Sequence, residues 1–203
     1  MHSANAQSNS SFFFNEFSLS TNYTDIKDHN SEGRFGFGAG IYKSFENLLK
    51  KRTHFTFGIE YNSTSQFTKV LYDGLYSTTT NRIYTLNYIS VPVTLKMSFG
   101  IKNKFFIEPG FFIELYTEAK KTGSYHHYST SDSLITSKDF TTWTNPGTVN
   151  FGPSFGIGLK YPVGKHYFII KLDYKFGLAN LHQQYDTDLI TNRYLRFMIC
   201  YRI

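Results

Sequence analysis

Along much of this chain apolar and polar residues alternate one by one, and that period confines most of it to β-strands. Phe55, Phe57, Ile59 and Tyr61 interleave with Thr56, Gly58, Glu60 and Asn62. Ile89, Val91, Val93, Leu95 and Met97 share one parity, while Ser90, Thr94, Lys96 and Ser98 share the other. Phe168, Ile170, Leu172, Tyr174 and Phe176 oppose Ile169, Lys171, Asp173 and Lys175. Near the end, Leu195, Phe197, Ile199, Tyr201 and Ile203 oppose Tyr194, Arg196, Met198, Cys200 and Arg202. Successive strand side chains point to opposite sides, so each stretch has one apolar and one polar face. The segment Glu46–Arg52 is the one candidate for a helical turn, and a run that short is marginal alone.

Eight such segments can be marked: Phe12–Tyr23, Arg34–Phe45, Thr53–Asn62, Ile83–Phe99, Lys104–Thr117, Val149–Tyr161, His166–Leu178 and Asn192–Ile203. Each reaches the roughly 9–11 residues that a tilted strand needs to cross a bilayer. The connections alternate in length. Glu46–Arg52, Gly100–Asn103 and Pro162–Lys165 are short, whereas Thr24–Gly33, Ser63–Arg82, Glu118–Thr148 and Ala179–Thr191 are longer. Outer-membrane barrels have this asymmetry, with short periplasmic turns and long external loops. The chain contains no run of eighteen apolar residues and its mean hydropathy is −0.33, which excludes a membrane-spanning helix. Yet aromatics make up 19% of it against 18% charged residues, more aromatic surface than a small soluble core needs.

The polar face carries its own charges. Its acids are Glu16, Glu60, Glu108, Glu114 and Asp173; its bases are Lys96, Lys160, Lys171, Lys175, Arg196 and Arg202. Numbers this close to balance are what an internal ion-pair network requires. A soluble barrel would instead turn them to water. Glycine decides between the two: Gly36, Gly38, Gly40, Gly152, Gly156 and Gly158 share the charged face. On a solvated face glycines weaken strands without return, whereas inside a narrow barrel they make room for inward Tyr42, Phe106, Phe112, Tyr116 and Tyr194. The expectation is therefore an all-β, eight-stranded antiparallel up-and-down transmembrane β-barrel over residues 11–203, filled by side chains and without a continuous channel. Lys43 breaks the parity near the periplasmic end, where a lysine can snorkel. Pro92 and Pro109 remove ladder donors, so a bulge or local kink is expected at each.

Residues 1–10 (MHSANAQSNS) are expected to be a signal-peptide remnant or a disordered terminus, with Ser3-Ala4-Asn5-Ala6 reading as the small-residue end of an export signal. The net charge of +6 is dispersed, which argues against nucleic acid and for contact with anionic outer-membrane lipid and lipopolysaccharide. The single Cys200 excludes an internal disulfide.

Four stretches carry a resemblance: YISVPVTLK (Tyr88–Lys96), KFFIEPGFFIEL (Lys104–Leu115), FGIGLKYPVGK (Phe155–Lys165) and YKFGLANL (Tyr174–Leu181). In this order the chain resembles the PorT-like outer-membrane β-barrel family of Bacteroidetes, akin in architecture to the OmpA and OmpX barrels. The match is good from Ile83 onward and weaker over Phe12–Asn62; Pro109 stands where that family more often has alanine. The resemblance implies a bacterial outer-membrane location, and one branch is similar to PorT itself, an accessory of type IX secretion. The ending RYLRFMICYRI resembles an assembly signal read by the barrel-insertion machinery, through Tyr201 and the terminal Ile203, which replaces the usual Phe.

Catalysis is not expected. His126, His127, Ser129 and Asp132 could be drawn as a hydrolase set, and His182, Asp186 and Asp188 as a protease set, but these lie in polar, Ser/Thr-rich or loop surroundings. No C-x-x-C or H-x-x-x-H spacing supports a metal, and no cofactor motif is present. The leading functional expectation is a plugged barrel presenting four external loops to an extracellular or secretion-system protein partner. A small-solute pore and a soluble lipocalin-like ligand-binding barrel are the alternatives.

Overall fold

The computed structural model describes residues 13–24, 31–50, 52–72, 74–100, 104–129, 133–144, 149–179 and 192–203. Nine strands run through them: β1 (Glu16–Thr24), β2 (Ser31–Lys50), β3 (Thr53–Tyr72), β4 (Ser77–Phe99), β5 (Phe105–Tyr128), β6 (Leu134–Thr144), β7 (Val149–Val163), β8 (His166–Phe176) and β9 (Arg193–Arg202). Eight of them close a ring in the order β4-β3-β2-β1-β9-β8-β7-β5, with β5 returning to β4. All neighbours are antiparallel. Closure depends on both chain ends. β1 lies against β9 with Glu16 opposite Arg202, and the Ile203 amide donates to the Asn15 carbonyl at 3.0 Å.

The ninth strand arises because β5 is too long for one partner. Its lower half, Phe105 to Leu115, pairs with β7, and its upper half, Ala119 to Tyr128, pairs with β6. The expected loop Glu118–Thr148 is thus largely a β-hairpin. The expected loop Ser63–Arg82 is one too: β3 continues to Tyr72 and β4 begins at Ser77, leaving four residues between them. Glu46–Lys50 continues β2 and forms no helical turn. Of the bulge or local kink expected at each proline, the bulge is absent. Phe57 pairs with Val93 and Glu60 with Ser90, so the β3–β4 register runs unshifted past Pro92. Pro109 pairs with Phe155 in an unbroken β5–β7 ladder. Register shifts fall instead at Arg34/Gly38, Glu46/Lys50, Thr80/Ile83, Asn87/Tyr88 and His127/Tyr128. Residues 1–10, Asp132, His182, Asp186 and Asp188 lie outside the described residues, as does most of the expected loop Ala179–Thr191.

Burial is inverted relative to a soluble protein. Leu19 and Phe111 are each 70% exposed and Phe35 is 76% exposed, whereas Glu60, Lys96, Lys175 and Arg196 are buried. Exposed apolar side chains recur on the outer parity of every ring strand, from Phe17 on β1 to Tyr201 on β9. No aqueous fold would leave such a continuous belt wet, and a bilayer is the solvent that covers it. Glycine makes the inner packing feasible. A Cβ on Gly58 would lie 2.3 Å from Cδ1 of Tyr42, and one on Gly158 would lie 2.4 Å from Cζ of Phe106. Both large rings lie inside the barrel because these positions lack a side chain.

Candidate functional site

The lumen holds two strings of ion pairs. In the lower, Arg202 Nε lies 3.2 Å from Glu16, Glu16 lies 3.4 Å from Lys96 Nζ, and Lys96 is 3.6 Å from Glu108, which meets Lys171 at 3.2 Å. In the upper, Asp173 meets Arg196 at 2.5 Å, Arg196 meets Glu60 at 2.7 Å, and Lys175 bridges Glu60 at 2.7 Å to Glu114 at 3.4 Å. The lower string joins three bases to two acids and the upper joins two bases to three acids, so +1 and −1 cancel. Neutral groups add hydrogen bonds to three of these carboxylates. Tyr42 donates to Glu60 at 2.8 Å, Thr94 to Glu108 at 2.7 Å, Asn150 to Glu114 at 2.9 Å, and Tyr194 also to Glu114.

Ten of the eleven charged residues assigned to the polar face from sequence are therefore buried and joined. The eleventh, Lys160, is half-buried, with Nζ 3.8 Å from the centre of the Tyr167 ring. Between the strings lies a cavity of about 10 Å³, bordered by Glu60, Glu108, Lys171, Asp173 and Arg196. That is room for about one water. Above the upper string, Leu86, Tyr88, Tyr116, Ala119 and Tyr194 form an aromatic cap with Tyr84 packed on it. Tyr201 and Ile203 point outward, half exposed on the lipid side.

Beyond the apolar belt, the upper parts of β3, β4, β5 and β6 form a sheet that rises from one side of the barrel. β3, β4 and β5 have 20, 23 and 24 residues, about twice the roughly 9–11 needed to cross. Register sorts its two faces. On the outer face one row joins Arg34, Ser65, Thr85, Lys120 and Trp143 across five strands. Lys120 lies 4.8 Å from the Trp143 ring, Arg34 lies 6.0 Å from that of Phe67, and Ser65 and Thr85 share a 3.3 Å hydrogen bond. On the inner face the row is Gln66, Tyr84, Lys121 and Thr142. Lys121 lies 5.3 Å from the Tyr84 ring. Burial, and then the charge of Arg82, hold the Lys121 ammonium below the usual lysine range. Burial raises the Tyr84 phenol, which Arg82 partly offsets. At the tips Tyr72 is 79% and Leu75 is 94% exposed.

Three members of the hydrolase set, His126, His127 and Ser129, lie at the upper end of β5, and Asp132 is outside the described residues. His126 Nε2 lies 2.8 Å from Thr80 Oγ1, and His127 is exposed, the next residue along the same strand. Ser129 Oγ accepts from the Ser133 amide at 3.3 Å. Among the described residues no group of three His, Cys, Asp or Glu side chains is placed to hold a metal.

A closed antiparallel barrel with charges inside and an apolar belt outside defines an outer-membrane β-barrel protein. The chain belongs to the outer membrane protein beta-barrel domain family, whose model matches residues 2–183, and its location is the bacterial outer membrane. Among solved structures it is similar to Neisserial surface protein A, with 10% identity and a TM-score of 0.44 over 93% of this chain and 95% of that one. It is also similar to Ail, the attachment invasion locus protein of Yersinia pestis, with 11% identity and a TM-score of 0.39 over 93% and 97% of the two chains. No curated protein matches it.

Proposed function

We propose that this chain is a non-enzymatic, non-conducting anchor that holds an interaction sheet above the outer membrane. The observation that carries the reading is the contrast between its two halves. The lumen is filled by paired charges around a cavity of about 10 Å³, while β3 to β6 continue well past the belt and expose Tyr72, Leu75 and Trp143. Ordered backbone hydrogen bonding costs chain entropy, and a barrel needing only to cross the membrane has no use for the added ladder.

The outer row of Arg34, Ser65, Thr85, Lys120 and Trp143 stands just above the belt and suits the phosphate-bearing headgroups of lipopolysaccharide. Tyr201 and Ile203, presented on the lipid side of the closing strand, suit recognition by the insertion machinery. A type IX secretion accessory is the second reading, favoured by the PorT-like stretches Tyr88–Lys96 and Tyr174–Leu181. The partner in either case is a protein or surface outside the barrel.

The test is adhesion of cells expressing the full chain, compared with cells in which residues 67–83 and 122–141 are each replaced by a short turn. Heat-modifiable migration on a semi-native gel shows whether the shortened barrels fold. Adhesion should fall to that of barrel-free cells while folding persists. Adhesion unchanged by folded, shortened variants contradicts the reading.

A further inference from the structure

Inside the rising sheet, two positive side chains stand together, and no acid among the described residues pairs with them. Arg82 and Tyr84 project from β4 on the same face, and Lys121 is the direct cross-strand partner of Tyr84. Arg82 is close enough to depress the Lys121 ammonium. Among the described residues no ion pair joins either base to an acid. The nearby acids are engaged elsewhere: Glu118 accepts from Asn87 at 3.0 Å, Asp139 accepts from Ser124 at 2.6 Å, and Glu114 belongs to the upper string. The contrast with the lumen is sharp, since the ten charges buried there are all paired. Like charges side by side cost folding free energy unless something negative joins them.

A second observation points the same way. Gln66, the β3 partner of Tyr84 in the same row, is nine-tenths buried, and its amide oxygen has no hydrogen-bond partner. A half-turn of the terminal amide exchanges its oxygen and nitrogen, so the side chain can offer donors to an anion instead. The floor is closed by Tyr84 and the aromatic cap, so an anion entering from outside would stop above the plug.

We propose that Arg82, Lys121 and Gln66 form an external anion site on the inner face of the sheet, taking a phosphate or sulfate group. The site rests on the proposed function only in facing the cell exterior. It lies on the side of the sheet away from lipid, so its ligand is a free oxyanion or an ester on a soluble molecule. Charge-assisted hydrogen bonds from the guanidinium and ammonium would supply most of the binding.

The test uses the whole chain in detergent micelles, titrated calorimetrically with inorganic phosphate, inorganic sulfate, glucose 6-phosphate, glucose 6-sulfate and glucose. Phosphate or sulfate, free or esterified, should bind with one site, and glucose should not. Tighter binding of the esters would identify a saccharide source, and equal binding a free ion. R82Q and K121Q should each weaken binding about tenfold or more, while K138Q on β6 should not. Should a variant fail to fold, the unaltered chain still decides: bound anion stabilises the Lys121 ammonium, so the pH at which amine reagents label Lys121 must rise on adding phosphate or sulfate. Absence of binding together with an unmoved Lys121 labelling profile overturns the proposal. Adhesion lost on shortening the hairpins but unaffected by R82Q and K121Q would leave the anchor reading standing and remove the anion site from it.

Discussion

Arg196 shows how much one residue can carry in such a lumen. Its guanidinium reaches Asp173 on β8 and Glu60 on β3, so it ties strands on opposite walls. Replacing one partner of a buried pair strands the other charge. R196M should therefore destabilise the barrel by about 3–5 kcal/mol in urea titrations into bilayers, and E60L by a similar amount. Unchanged stability in both would contradict the inward placement. The pair change R196M/D173N removes opposite charges together and should cost less than R196M alone. Lys121 offers a residue-scale test outside the membrane. Its ammonium is held below the ordinary lysine range, so more of it is neutral at a given pH and it should react with amine reagents at lower pH than the side chain of a free lysine peptide. The opposite order would contradict its placement between Arg82 and Tyr84. The ten buried charges were legible in the sequence from parity alone, because a strand fixes which side a residue faces. Lys160 obeys the same parity yet is only half-buried, because β7 there approaches its end at Val163 and the wall opens. Pairing among the ten was not legible. It depends on which strands face across the lumen, and Glu60 and Arg196 are 136 residues apart.

Elements divide by what solvates their faces. Where one face meets lipid and the other the packed lumen, alternation is clean, and the positions of the ring strands could be read from it. Above the belt the outer face no longer meets lipid and the buried inner positions, such as Thr64, Gln66 and Thr68, are polar, so the pattern fades. Gln66, Phe67, Thr68, Lys69, Val70, Leu71 and Tyr72 show no strict period, so this stretch reads as loop although it is strand. Two signals were nevertheless present. Asp73-Gly74 marks a tight hairpin, and Gly74 has a φ of +138°. The flanking Thr, Tyr and Val residues favour strands whichever face is wet. A missing donor costs one ladder bond but does not require an inserted residue, and the register past Pro92 shows none. If the upper hairpins are independent of the ring, shortening β3–β4 across residues 67–83 should leave heat-modifiable folding intact. Loss of folding would mean that the sheet braces the barrel.

At the scale of the molecule, location and task separate. The inverted burial accounts for residence in a bilayer, the ring closure of β1 on β9 removes free edges from it, and the balanced strings fill the interior. What remains for contact with other molecules lies above the membrane, where the sequence pattern is weakest. A non-conducting anchor requires a closed lumen. Single-channel recording of the folded chain in planar bilayers tests this most directly. A cavity with room for about one water predicts a silent membrane apart from rare, brief leaks. Steady, large openings would contradict it.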